Sequence, residues 1–194
     1  MTRWARRALL SVAFGATLGL LAQGASAAVI GGPFALTDAR TGKTVTDVDL
    51  RGGWLLLYFG YTFCPDVCPT DLQKIIAARG ALGADGRALT PVFVTVDPAR
   101  DTVPVMARYV ALFSPDLMGL TGSQAEIDRI VGEYRVYVAK QAVPGGGGAY
   151  LVNHSTFLYL VDPRGKVAEI LPASLTPVAL ARRVRTAMGA PDQG

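Results

Sequence analysis

The chain has 194 residues, 51% of them hydrophobic, and a net charge of +4 at pH 7. That length and apolar content suit one packed domain plus a targeting segment, and they exclude a disordered chain. Two cysteines are too few for a disulfide-stapled scaffold, and with a single histidine they cannot supply the four ligands that structural zinc and iron–sulfur sites demand.

Residues 1–27 read as an export signal. Arg3, Arg6 and Arg7 form a basic start, Ala8 to Ala22 an apolar core, and Ala25-Ser26-Ala27 a small-residue cleavage pattern. The alternative is an uncleaved membrane anchor, although the core is short for a span. Cleavage leaves residues 28–194 as one domain. It also removes three arginines, which takes the net charge from +4 to about +1. The basic balance is therefore no argument for nucleic-acid binding, and no basic stripe with interleaved aromatics is present. Export places the mature protein in the periplasm or cell envelope, where disulfides persist. The membrane would be touched only through an uncleaved N-terminal segment.

Along the mature chain, Phe34 to Thr46 alternates apolar and polar around Asp38–Gly42, a hairpin pattern. Trp54 to Phe59 is a continuous apolar run between glycines, as in a buried parallel strand. After Cys64–Cys68, Pro69 suits the first position of a helix with Cys68 near its N-cap and Leu72, Ile75 and Ile76 at helical spacing. Pro91 to Val96 reads as the next buried strand. Val103 to Phe113 reads as a helix with Val105, Tyr109 and Leu112 on its apolar stripe, and Leu117 to Thr121 as a short strand. Ser123 and Glu126 form a capping-box pair ahead of a helix whose stripe is Ile127, Ile130 and Tyr134. Tyr137 to Val143 reads as a strand leading into the flexible Pro144–Gly148. His154 follows that loop. Thr156 to Val161, a turn at Asp162–Gly165 and Lys166 to Leu171 form a second hairpin, and Thr176-Pro177 opens a last helix through Met188. This order predicts an α/β fold: a mixed central sheet flanked by helices, with an N-terminal β-hairpin. A thioredoxin-like architecture fits it and places a redox or metal site where the first core strand hands over to a helix.

Cys64, Cys68 and His154 are all the cysteine and histidine in the chain. Two cysteines four apart at a helix start share one side of the turn, and the free N–H groups there favour thiolate. Such a pair can close a disulfide or bind a soft metal. With imidazole as third ligand it makes a sulfur–sulfur–nitrogen site of the kind that suits copper. A lone histidine beside a strand is commonly a hydrogen-bonded filler, and a local structural disulfide is the plain alternative for the cysteines. Asp97, Arg100 and Asp101 form a charged turn after a core strand. Its ordinary reading is local turn chemistry, its functional reading a supporting or partner-facing role. Asp66, between the cysteines, reads as a solvated loop residue or one that biases the thiols.

Several segments carry a resemblance. Tyr58 to Thr70, with its Cys-Pro-Asp-Val-Cys-Pro core, resembles the signature of the Sco/SenC copper chaperones. Pro91–Thr102, Gly119–Gly122, Tyr134–Tyr137 and Val152–Tyr159 are similar to further blocks of that family in the same order. The resemblance implies a thioredoxin fold that binds one copper, Cu(I) or Cu(II), per chain through Cys64, Cys68 and His154. It implies a metallochaperone that assembles the binuclear copper centre of cytochrome c oxidase, as copper donor, as reductant of the target's cysteines through a Cys64–Cys68 dithiol, or as both. The partners implied are the copper-site subunit of the oxidase and another periplasmic copper chaperone or thioredoxin-like reductant. Where the family usually has Asp before the histidine this chain has Asn153, which would alter tuning of the imidazole. A metal-free thiol-disulfide oxidoreductase of the cell envelope is the competing reading. The spacing argues against it: three residues separate the cysteines where thioredoxin-type enzymes have two, and no proline stands in the Val152–Ser155 segment.

Overall fold

The computed structural model describes residues 29–189, so the export-signal expectation for residues 1–27 lies outside the described residues. Seven strands form the main sheet in the order β2-β1-β5-β4-β3-β8-β9. They are β1 (Ala35–Asp38), β2 (Thr44–Thr46), β3 (Trp54–Gly60), β4 (Leu89–Thr95), β5 (Met118–Thr121), β8 (Phe157–Val161) and β9 (Val167–Pro172). A separate hairpin pairs β6 (Val138–Ala142) with β7 (Tyr150–His154). The helices are α1 (Val67–Ala81), α2 (Val103–Ala111), α3 (Gln124–Glu133) and α4 (Pro177–Ala187). The sheet is mixed: β3, β4 and β5 run parallel, and the outer pairings are antiparallel.

The apolar run of β3 suits an interior position, buried from Leu55 to Gly60 between two neighbours, β4 and β8. Strand β4 begins at Leu89, two residues before the sequence expectation. Pro91 therefore sits inside a strand, where it lacks a donor for the ladder. This is tolerated because β5 pairs only with Val92 to Val94, leaving Pro91 without a ladder partner on that side. Alternation along β3 divides the core. Tyr58 faces α1 and α2, through Asp71 and through Phe93 stacked between Tyr58 and Tyr109. Phe59 faces the other way, onto Tyr134 after α3 and onto Tyr159.

Three expectations shift. Helix α1 starts at Val67, so Cys68 is its second residue rather than its cap. Pro69 fits the third position because the first-turn N–H groups have no intrahelical partner in any case. In α2 the buried residues are Met106 and Val110, which pack over Gly119. The expected stripe of Val105, Tyr109 and Leu112 instead lines a shallow apolar cleft of about 280 Å³ with Thr62 and Phe63, and Leu112 is 80% exposed. The segment between Gly148 and His154, to which the sequence pattern assigns no element, is strand β7. The capping box of α3 forms as expected, with the Ser123 and Glu126 side chains each accepting from the other's backbone N–H.

Candidate metal site

Three segments converge at the carboxyl end of β3. The strand ends at Gly60, where a Cβ would stand 2.9 Å from Cys68 Sγ and 2.8 Å from the Phe93 ring, so the missing side chain is what seats Cys68. The chain then turns, with Cys64 N–H donating to the Tyr61 carbonyl at 3.2 Å, and enters α1. Cys68 points inward and is fully buried, while Cys64 sits at the rim of a pocket that also includes Asp66, Asn153 and His154. Both thiols are free, and Cys68 N–H donates to Cys64 Sγ at 3.5 Å.

His154 arrives on β7. Period-2 alternation turns Tyr150, Val152 and His154 to the inner face and leaves Leu151 and Asn153 exposed. The imidazole Nδ1–H donates to the Ser155 carbonyl at 3.0 Å, an acceptor that fixes the tautomer. The Nε2 atom faces Cys68 Sγ, at 3.4 Å. Edge-on contacts with Tyr58 and Tyr61, ring centroids 6.1 and 6.0 Å away, hold the imidazole plane. The Tyr61 hydroxyl also accepts from Val152 N–H at 3.3 Å, which pins β7 beside the cysteine loop.

The two sulfurs and the imidazole nitrogen lie within 4.8 Å of one another. Ligand atoms about 2.0–2.3 Å from a shared ion stand roughly 3.5–4 Å apart when they are trigonal. The group therefore needs at most about 1 Å of closure, give or take a few tenths, to hold one metal ion. Asn153 does not touch the imidazole. Its amide donates to Gln141 across the β6–β7 hairpin at 3.1 Å, and the tuning expected of position 153 falls to the Ser155 carbonyl.

The thiols are electrostatically unequal. Cys64 is held down to about 3, first by its hydrogen bond with Cys68 and then by His154 and the backbone N–H groups of Asp66 and Cys68, which together outweigh burial. Cys68 is pushed up, by Cys64 first and by burial second. The metal-free pair thus carries one negative charge, centred on Cys64, with the proton on Cys68. A bound cation would displace that proton and leave two thiolates. Asp66 is exposed, and its backbone N–H is what bears on Cys64.

The charged turn after β4 is not a solvated ion pair. Asp97 and Asp101 are both fully buried. Asp101 accepts from Thr62 N–H at 3.0 Å, from the Thr62 hydroxyl at 2.6 Å and from the Thr95 hydroxyl at 2.6 Å, which ties the cysteine loop to β4. Asp97 accepts from the Tyr150 hydroxyl at 2.9 Å and from Arg100, with the Lys140 ammonium 3.5 Å away. Arg100 also donates to the Tyr150 carbonyl at 3.0 Å and lies 3.8 Å from the centre of that ring. One acidic turn therefore anchors both ligand-bearing segments. The only sequence signal for Tyr150 is the weak alternation Tyr-Leu-Val-Asn-His, which puts Tyr150 and His154 on one face once the segment is a strand.

Fold and site define a thioredoxin-like domain carrying a Cys–Cys–His group. The family model described as SCO1/SenC matches residues 22–189, and the chain belongs to that family. It is 40% identical over 165 residues to the human "Protein SCO1 homolog, mitochondrial", covering 82% of this chain and 53% of that protein, so the chain spans about half the length of that relative. The structure of Bradyrhizobium japonicum ScoI with copper bound is similar at a TM-score of 0.74 and 41% identity, over 81% of this chain and 99% of that one. BsSco, described as a member of the Sco family of cytochrome c oxidase assembly proteins with a disulfide switch, is similar at a TM-score of 0.64 and 25% identity, over 84% of this chain and 95% of that one.

Proposed function

We propose that this protein binds one copper ion through Cys64, Cys68 and His154 and serves assembly of the binuclear copper centre of cytochrome c oxidase in the cell envelope. It delivers copper to the copper-site subunit, reduces that subunit's cysteines, or does both. The observation that carries the reading is the convergence of residues 64, 68 and 154 to within 4.8 Å, on a loop and a hairpin tied together by one buried acidic turn. Two thiolates and one imidazole suit soft copper, and the chain has no further Cys or His to complete a four-ligand zinc site. The copper-bound relative supports the choice of metal, and the assembly role given for BsSco supports the choice of target. Another periplasmic copper chaperone or a thioredoxin-like reductant would reload or re-reduce the site. The basic start and apolar core of residues 3–22 support export to the periplasm.

Cys64, although buried, lines the pocket and is the sulfur an incoming thiol would reach first, which serves either task. Mixing two equivalents of the Cu(I)-loaded protein with the reduced, copper-free copper-site domain of the oxidase subunit, then withdrawing one electron per site with ferricyanide, should build the absorption bands of the binuclear centre. Mixing the copper-free dithiol with the oxidised domain should yield free thiols on the target. Failure of both would end the assembly reading. Thiol transfer alone would favour the reductase.

A further inference from the structure

The hairpin that carries His154 is incomplete as a sheet. It has two strands, and such a pair alone is marginal in water. Strand β7 is held by the Tyr61 hydroxyl and, through Tyr150, by Asp97, whereas the backbone of β6 pairs with β7 alone. Two bonds that flank the ladder set its phase: Ser155 N–H donates to the Tyr137 carbonyl at 3.1 Å, and Val143 N–H to the Ala149 carbonyl at 2.9 Å. Bonded and unbonded pairs alternate along an antiparallel ladder, so Val138, Lys140 and Ala142 turn their N–H and C=O groups away from β7. Among the described residues these outward groups have no hydrogen-bond partner.

That edge borders a groove. Val138 and Lys140 line a cavity of about 650 Å³ whose other wall is α3 and whose lining includes no residue of β7. Its floor is apolar, with Val96, Ile127 and Val136 buried. Two cations rim it. Lys140 lies 3.5 Å from Asp97, a carboxylate that Arg100 already neutralises. Arg135 is exposed and has no carboxylate within ion-pair reach among the described residues. It holds φ at 52° just past the end of α3, in the left-handed region where glycine is the ordinary choice. One acid, Asp128, also lines the groove, and it accepts from the Gln124 amide at 2.8 Å. Two cations against one carboxylate leave the lining positive.

An unpaired strand edge beside an apolar groove is a template for one more strand, and charge selects which. Two copies of β6 pairing antiparallel about the middle of the strand would set one Lys140 against another, which disfavours self-association. An acidic strand would meet Lys140 and Arg135 instead. We propose that an extended acidic segment of a partner protein, with apolar residues at alternate positions, adds to the edge of β6 and fills the groove, and that the added strand steadies the hairpin carrying His154. The inference deepens the proposed function by giving a partner's docking mode, and it rests on that function only for the role of His154.

The test uses the whole protein, reduced and copper-free, and two capped pentapeptides: acetyl-Glu-Val-Glu-Val-Glu-amide and its Lys-for-Glu counterpart. Amide hydrogen exchange is followed residue by residue by NMR. With the acidic peptide at about ten times its Kd, exchange at Val138, Lys140 and Ala142 should slow about tenfold, because it proceeds only from the unoccupied fraction. Ala139 and Gln141, already bonded to β7, should slow as well. The basic peptide should slow none of them. Ala142→Pro puts a ring on an outward-facing nitrogen, which a free edge tolerates and an incoming strand does not. It should weaken the acidic peptide about tenfold, a lost hydrogen bond plus the clash. Arg135→Gly relieves the left-handed backbone, so it should fold as stably as the parent, yet weaken the peptide about threefold, the worth of one exposed ion pair. No slowing at Val138 and Lys140 up to millimolar peptide would overturn the inference, as would equal effects of the two peptides or binding indifferent to Ala142→Pro. Protection of these amides that rises with protein concentration, without peptide, would also overturn it by making a second copy the occupant. A chain that bound no copper would refute the proposed function and leave the exchange data readable.

Discussion

Asp101→Ala is the sharpest test of how the cysteine loop is held. The carboxylate is fully buried and accepts three hydrogen bonds, from Thr62 N–H, Thr62 Oγ1 and Thr95 Oγ1. The two hydroxyls can rotate to other partners, whereas the Thr62 N–H cannot, and an unsatisfied buried donor costs about 1–3 kcal/mol. Adding the weakened hydroxyl bonds and subtracting the relief of not burying a carboxylate gives a net loss of about 2–4 kcal/mol. Burial is the largest influence on this group, and its pKa is raised despite the three bonds. The acceptor geometry therefore matters more than the charge. Asp101→Asn, which keeps an oxygen for the Thr62 N–H, should cost about 1 kcal/mol or less. Urea unfolding of the reduced protein followed by far-ultraviolet circular dichroism measures both, and for a domain of this size the alanine variant should melt roughly 5–15 °C lower. An alanine variant as stable as the parent, or an asparagine variant as damaged as the alanine one, would refute the reasoning.

Alkylation should discriminate the cysteines at pH 5. With Cys64 held at about 3, its thiolate persists there, while a thiol at its ordinary value would be about one part in ten thousand ionised. Iodoacetamide should label Cys64 and spare Cys68, and unfolding in urea at the same pH should abolish the labelling; a rate that climbs only toward pH 9 would contradict it. Because the folded value lies below the unfolded one, this thiolate adds stability progressively as pH rises from about 3 to about 9, and that stability is lost as pH falls through the same window. Gly60→Ala forces a methyl to 2.9 Å from Cys68 Sγ and should cost about 1–3 kcal/mol while weakening metal affinity, both readable in one preparation. Tyr150→Phe strips a donor from buried Asp97 and should speed amide hydrogen exchange across Val138–His154 while leaving β3 and β4 protected. Unchanged exchange in the hairpin would mean that Arg100 alone holds it.

The order of strands and helices was legible because the core strands are unbroken apolar runs and the helix starts carry caps and prolines. Strand β7 was not, because Tyr-Leu-Val-Asn-His is short and follows a glycine-rich loop that suggests irregular chain. Periodicity does not single out the buried stripe of α2 because both faces of that helix are apolar. One packs over Gly119 and the other lines an open cleft, and periodicity cannot say which faces inward. The three candidate ligands were legible by scarcity: a chain with two cysteines and one histidine offers no other soft set. The supports were not legible in the same way. Asp97 and Asp101 follow a strand in a sequence that suits an exposed turn, and only the tertiary fold brings Thr62 and Tyr150 onto them. Asp71 is hidden for a similar reason, since one acid among polar helix residues gives no sign that it lies under Tyr58.

The central claim is that three residues hold one copper ion. Anaerobic titration of the reduced protein with Cu(I) against a competing chelator, with His154→Ala alongside, tests it most directly. The account predicts one copper per chain for the parent. For the variant it predicts an affinity at least about tenfold weaker, the loss expected when a ligand is removed rather than a supporting group, with the Cys64–Cys68 disulfide still able to form. An affinity unchanged by the loss of His154, or a stoichiometry far from one, would contradict it.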